Sequence, residues 1–239
     1  MKSKIYMYLL NIKSIRKAIL KLTFITLCLT LFNCENENAL FNDYKFDNDG
    51  TILNCDNLDT KLYVEALLSF EDDIASFYDK KNKNIRRAHS FFIRDVLANR
   101  AKFEDIVSPH SMSVFEALQK DKDLWLNNNL KNYNADIFKC LSSNFTVTSL
   151  QTTFNALVST NSMSPELFGA PLKNQVKNAD KDRYMATYVA LDYYYANLFD
   201  IDPSTIKEKT DFSKNEEQKN NQGNQIIIDQ KKSQEEPVQ

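Results

Sequence analysis

The segment Tyr63-Val-Glu-Ala-Leu-Leu-Ser-Phe-Glu-Asp-Asp-Ile-Ala-Ser-Phe77 carries a regular apolar pattern. Its large apolar side chains stand at alternating intervals of four and three residues, at positions 63, 67, 70, 74 and 77. Because an α-helix has about 3.6 residues per turn, this spacing brings all of them to one side. The segment therefore predicts a helix whose apolar side faces other helices.

Prolines and capping signals divide the rest of the central region into stretches of helix length. Ser113-Val-Phe-Glu116 has the spacing of a capping box and opens a helix that we expect to reach Trp125. Ser164 and Pro165 form an N-cap and a first-turn proline, and Pro171 should keep that helix short. The apolar patterns predict further helices over residues 84–107, 113–125, 136–141, 148–158 and 180–199.

Glycine is scarce, and this scarcity excludes several classes of fold and site. The chain of 239 residues holds three glycines, at positions 50, 169 and 223. A phosphate-binding loop needs several glycines close together, and an all-β chain needs many glycine turns. We therefore predict an all-α fold, a single helical bundle of about five or six helices formed by residues 58–206.

The two flanks of this bundle are polar. Residues 34–57 contain the turn dipeptide Asp49-Gly50, and we expect them to form a flexible tether. Residues 207–239 hold six Lys, seven Asp or Glu and a single aromatic residue, Phe212. With so little apolar surface to offset the loss of chain entropy, this segment is predicted to be a disordered tail.

The first 33 residues have the pattern of an export signal. They hold six Lys or Arg, the last of them Lys21, and no acidic residue. The apolar run Leu22–Phe32 follows, and as a helix it would span about 16 Å, roughly half of a bilayer core. Such a run is typical of a signal peptide and too short for a membrane-spanning helix. The alternative is an uncleaved amphipathic or membrane-anchoring helix.

The signal ends in Leu31-Phe-Asn-Cys34, which resembles a lipobox, the site where bacterial lipoproteins are cleaved and lipidated. The residues just before Cys34 are larger than the usual pattern prefers, and spirochaete lipoproteins accept such looser boxes. Lysine outnumbers arginine 24 to 6, and Asn is abundant while Gly and Pro are scarce. In its leader and composition the chain resembles a Borrelia outer surface lipoprotein. We expect Cys34, rather than Cys28 inside the apolar run, to carry the lipid.

This resemblance implies a location and a role. It implies an outer-membrane protein that is anchored through acylated Cys34, lies on the cell surface and contacts host molecules. Members of that group bind complement regulators, matrix proteins or glycosaminoglycans. Acyl chains contribute about 0.8 kcal/mol per buried methylene, so they hold a protein at membrane lipid without a transmembrane helix. The alternative is an envelope lipoprotein that faces the periplasm and has a structural or assembly role.

The net charge argues against nucleic acid as a partner. The chain has 30 basic and 32 acidic residues, and six of the basic ones lie in the leader. The remainder is therefore acidic by about eight charges, whereas a protein that neutralises phosphates should be basic.

One segment reverses this charge balance. Residues 80–102 hold eight basic residues and a single acid, Asp95. Arginine pairs with carboxylate, sulfate or phosphate groups through two parallel hydrogen bonds. We predict an anion- or ligand-binding surface, the basic face, made of Lys83, Arg86, Arg87 and Arg94. The alternative is a solvated surface neutralised by neighbouring acidic helices.

The sequence contains no recognisable catalytic or metal-binding pattern. Two histidines, His89 and His110, cannot form a multi-histidine metal site, and Cys-x-x-Cys and Gly-x-Ser-x-Gly motifs are absent. His89 lies at the edge of an apolar helix face, which favours a core position. The run Glu71-Asp72-Asp73 indicates a solvated helix face. We therefore predict a non-enzymatic protein with no cofactor and no metal.

Two further features carry predictions of their own. Cys55 and Cys140 form a disulfide, as an exported protein permits, or they remain two thiols. The run Tyr193-Tyr194-Tyr195 points around three sides of its predicted helix, so at least one ring should be exposed and available for binding. The alternative is that the three rings pack in the core with their hydroxyls at its rim.

Overall fold

The computed structural model describes residues 41–46, 52–127 and 130–206. These ranges are mostly helical, as predicted, and none of their helices has the length and apolar character needed to cross a membrane. The predicted leader of residues 1–33, Cys34 and the predicted tail of residues 207–239 lie outside the described residues. The α-helices of the described ranges are α1 Lys61–Tyr78, α2 Ile85–Leu97, α3 Phe103–Ile106, α4 Pro109–Gln119, α5 Asp136–Ser143, α6 Thr148–Ser159, α7 Pro165–Gln175 and α8 Arg183–Val189.

α1 lies at the centre of the core and contacts α2, α3, α4 and α8. The seam predicted from the apolar spacing is confirmed for Tyr63, Leu67, Phe70 and Ile74, which are all buried. Its last member, Phe77, is instead 43% exposed.

The helix predicted over residues 84–107 is two helices in the structure. α2 ends at Leu97, and Asn99 adopts a left-handed φ of 52°. Asparagine tolerates this conformation better than most residues. The N–H of Arg100 then donates to the carbonyl of Asp95 at 2.8 Å, which closes the end of α2 and redirects the chain into α3.

α4 begins earlier than predicted and ends before Trp125. Ser108 caps it by accepting a hydrogen bond from the Ser111 N–H at 3.2 Å, and Pro109 occupies the first turn. Trp125 lies instead in a short antiparallel hairpin, β1 (Trp125–Asn127) and β2 (Leu130–Lys131). Its indole N–H donates to the Leu118 carbonyl at 2.7 Å, so the hairpin is fastened to the end of α4.

α7 begins as predicted and ends later. Ser164 accepts a hydrogen bond from the Leu167 N–H at 3.2 Å, with Pro165 in the first turn. The helix continues through Pro171 to Gln175, so the prediction that this proline keeps it short is wrong. Burial of Leu172 in the core offsets the hydrogen bond that the proline removes.

The last helix changes its geometry along its length. α8 passes into a π-helical turn, Ala190–Tyr194, and then into a 3-10 turn, Tyr195–Asn197. Every residue from Met185 to Ala196 is buried. The prediction that one ring of Tyr193–Tyr195 is exposed is therefore wrong, because other elements, α1 and α5 among them, enclose this helix.

Residues expected to form a flexible tether pack against the helices wherever the structure describes them. The buried carboxylate of Glu65 accepts hydrogen bonds from the backbone N–H groups of Lys45 and Phe46, at 2.8 and 3.1 Å. Leu53 is also buried. The folded body therefore includes residues 41–46 and 52–57 in addition to the predicted bundle.

Candidate functional site

The basic face lies on α2 and on the turn that precedes it. Lys83 adopts a φ of 47° in this turn, and its N–H donates to the Asp79 carbonyl at 2.7 Å. Asn84 caps α2 by accepting a hydrogen bond from the Arg87 N–H at 3.0 Å. The side chains of Lys83, Arg86, Arg87 and Arg94 are 46 to 59% exposed, so all four predicted members of the face are accessible to solvent.

Each base of this face has an acidic partner. The pairs are Lys83–Asp72 at 3.7 Å, Arg86–Asp180 at 2.9 Å, Arg87–Asp79 at 3.9 Å and Arg94–Asp95 at 3.0 Å. The hydrogen bond from Arg86 lowers the pKa of Asp180, and that from Arg94 lowers the pKa of Asp95. Asp79 is buried, but the acids that face Lys83, Arg86 and Arg94 are at least partly exposed. Exposed ion pairs contribute only about 0 to 1 kcal/mol, so a multivalent anionic ligand can compete with these three acids.

Two arginines of the basic face stack on one aromatic ring. The guanidinium carbons of Arg87 and Arg94 lie 5.2 and 4.7 Å from the centroid of Phe91. The ring of Tyr78 lies 6.2 Å from Phe91 and 4.8 Å from the exposed ring of Phe77. We call these residues, Phe77, Tyr78, Arg87, Phe91 and Arg94, the arginine–aromatic patch.

The acidic run of α1 is not the solvated face that the sequence indicates. Glu71 and Asp73 are 6% and 2% exposed. Asp73 accepts hydrogen bonds from the Ser108 N–H at 2.9 Å and from the Tyr194 hydroxyl. Since these partners come from distant parts of the chain, the sequence around α1 does not show that its acids are buried.

Both histidines are partners of buried glutamates. His89 is fully buried, and its Nε2 lies 2.9 Å from Glu71 Oε1, which confirms the core position predicted for it. His110 Nε2 lies 2.6 Å from Glu65 Oε1. In the part of the chain that the structure describes, no three His, Cys, Asp or Glu side chains are grouped so that they could hold a metal ion.

Cys55 and Cys140 form a disulfide in the structure, with their Cα atoms 5.7 Å apart. The bridge joins the segment before α1 to α5. Nearby, the hydroxyl of Tyr184 accepts a hydrogen bond from the Asn54 N–H at 3.2 Å. Of the two alternatives for these cysteines, the structure thus contains the bridge.

One group of residues has no counterpart among the predicted sites. Asp192, 1% exposed, accepts hydrogen bonds from the hydroxyls of Tyr133 and Tyr188, and Lys131 Nζ lies 3.1 Å from its Oδ1. Lys131 and Asp192 line a cavity of about 770 Å³. The sequence signal for this site was a charged residue within the apolar run Val189-Ala-Leu-Asp192-Tyr193.

Comparison with known proteins assigns no family to the chain. No family model, curated protein or solved structure matches it. The resemblance to spirochaete lipoproteins therefore depends on the leader and the composition.

Proposed function

We propose that this protein is a non-enzymatic lipoprotein of the bacterial outer membrane whose helical bundle binds host macromolecules at the cell surface. Acylated Cys34 anchors it to membrane lipid. The basic leader, the cysteine that follows it and the Borrelia-like composition support the anchor and the location. The lack of a catalytic motif in the sequence supports a binding role.

The binding role is carried by the arginine–aromatic patch. Arg87 and Arg94 are 59% and 46% exposed while both lie against Phe91. Stacking orients a guanidinium group, and the N–H groups that Asp79 and Asp95 do not engage can form hydrogen bonds with sulfate or carboxylate. Arginine and aromatic side chains are also enriched at binding hot spots. Complement regulators, matrix proteins and glycosaminoglycans all offer suitable acidic groups.

Retention of the full chain on immobilised heparin, in detergent, tests this role. Arg87→Glu combined with Arg94→Glu should elute at lower salt than the unchanged chain, because the patch loses both cations. Lys120→Glu combined with Lys139→Glu is the matched control, since it changes the net charge equally at exposed positions outside the patch. Equal shifts in the two double variants, or no shift in either, would exclude the patch as the heparin site.

Metabolic labelling with palmitate tests the anchor. Label should enter the unchanged chain and the Cys28→Ser variant and should be lost from Cys34→Ser. Label that persists in Cys34→Ser would show that the lipid is attached elsewhere.

The second candidate function is a structural or assembly role on the periplasmic side of the envelope. The observation that favours it is that every base of the basic face already has an acid within 4.0 Å. Proteinase treatment of intact cells distinguishes the cell-surface location from the periplasmic one. Digestion supports the surface location, and protection until the cells are lysed supports the periplasmic one.

A further inference from the structure

The cavity at Asp192 has the size of a ligand site. It measures about 770 Å³ and lies between the end of α2, strand β2, α7 and the π-helical turn. Small-molecule pockets in proteins commonly measure about 300 to 1,000 Å³. Its polar wall residues are Asn99, Lys131, Glu166, Lys173, Asp192 and Asn197.

The local backbone and the buried charge distinguish this cavity from a packing gap. Asp192 sits in the π-helical turn Ala190–Tyr194, and π turns inserted in helices occur frequently at functional sites. Its charge is balanced by Lys131, whose side chain is 11% exposed. A buried ion pair seldom stabilises a fold more than apolar residues of the same volume would. The Asp192 side chain is itself fully enclosed, so its part in the cavity is to hold the ammonium group of Lys131 at the wall.

The charges of the wall indicate which ligands fit. Lys131 and Lys173 are balanced by Asp192 and Glu166. Backbone and Ser164 hydrogen bonds at the start of α7 lower the pKa of Glu166, so it is ionised at neutral pH. Because these charges cancel, a charged ligand gains no net attraction to offset the loss of its own hydration, and an apolar ligand would displace water from Glu166 and Lys173 at a cost. Hydroxyl groups avoid both penalties, because they donate to carboxylates and accept from ammonium and amide groups.

We propose that this cavity binds a neutral, hydroxyl-rich ligand of monosaccharide or disaccharide size. Lys131 and Glu166 are its main hydrogen-bonding groups, and the ring of Phe103, which also lines the cavity, packs against its C–H groups. The site uses no residue of the arginine–aromatic patch, so it does not depend on the function proposed above.

Saturation-transfer NMR of the full chain with maltose, lactose, trehalose and N,N′-diacetylchitobiose tests this proposal. At least one of these sugars should receive saturation. Ala170→Trp fills the cavity from an exposed position of its wall and should weaken binding at least about tenfold. Ala156→Trp, at an exposed position of α6 outside the cavity, is its control and should bind as the unchanged chain does.

A second variant pair tests the hydrogen bonds. Lys131→Met should also weaken binding, whereas Lys120→Met, an exposed lysine outside the cavity, should not. Three results would each overturn the proposal. They are absence of transfer to every sugar, undiminished transfer in Ala170→Trp, and stronger transfer to glucuronate than to the neutral sugars.

Discussion

Arg183 donates two parallel hydrogen bonds to the carboxylate of Glu71, at 2.8 and 2.7 Å, across 112 positions of sequence. His89 lies against the same carboxylate, 2.9 Å away. α1, α2 and α8 therefore meet at one buried charge. Because a buried charge is strongly destabilising without its partners, this cluster restricts how the three helices can pack.

Replacing Arg183 by Met should lower the free energy of unfolding by about 3 kcal/mol, since the buried carboxylate loses its bidentate partner. Urea denaturation can be followed by the fluorescence of Trp125, which is the single tryptophan of the chain and is 9% exposed. The control is Lys181→Met at a neighbouring exposed position, which should stay within about 0.5 kcal/mol of the unchanged chain. A loss in Arg183→Met as small as that of the control would contradict the prediction.

The same cluster should make the protein sensitive to acid. Burial opposes ionisation of Glu71, but hydrogen bonds from His89 and Arg183 outweigh it and hold the pKa of this carboxyl below its usual value. A carboxyl whose pKa is lowered by folding stabilises the fold above its unfolded pKa, and this contribution is lost as the pH falls through its folded pKa. The free energy of unfolding should therefore decrease below about pH 4.3. Measured by urea denaturation, the decrease should be smaller in Glu71→Gln, and equal decreases in both chains would count against this cluster.

The buried tyrosines should set an alkaline limit to stability. Burial first, and then nearby carboxylates, raise the pKa of Tyr188, Tyr194 and Tyr195 well above the usual value. A tyrosine whose pKa is raised by folding stabilises the fold fully below its unfolded pKa of about 10, and this contribution is lost as the pH rises above that value. In an alkaline titration, their ultraviolet absorbance change should coincide with the loss of circular dichroism. Ionisation of all 11 tyrosines in a chain that keeps its native dichroism would be incompatible with this burial.

Loss of the disulfide should destabilise the body. Cys55 and Cys140 close a loop with a sequence separation of 85, for which loop entropy alone gives about 4.6 kcal/mol. Cys55→Ala combined with Cys140→Ala should unfold at a lower temperature than the unchanged chain under non-reducing conditions. A reductant should lower the melting temperature of the unchanged chain toward that of the double variant. If the reductant had no effect on the unchanged chain, the bridge would not contribute to its stability.

The sequence predicted helix interiors better than helix ends. The seam from Tyr63 to Ile74 is buried as its spacing indicates, because periodicity is a local property. The apolar pattern did not predict the break at Asn99, and the sequence wrongly predicted that Pro171 would keep α7 short. At both places, single turns are decided by backbone hydrogen bonds and by burial, which the apolar pattern does not specify.

The basic face shows the same difference between what a local pattern predicts and what tertiary contacts decide. Its four bases lie within one turn and one helix, so their closeness along the chain was visible in the sequence. Their partners Asp72 and Asp180 belong to other parts of the chain, and only folding brings them within 4.0 Å of Lys83 and Arg86.

Taken by itself, the amino-acid sequence determined the helical class and the acidic character of the chain after its basic leader, because both follow from composition and local periodicity. Only the tertiary structure decided which charges are buried together. Glu71 meets Arg183, and Lys131 meets Asp192, because helices and strands distant in sequence pack side by side. Such pairs depend on the packing of elements in space, which no spacing within a single element encodes.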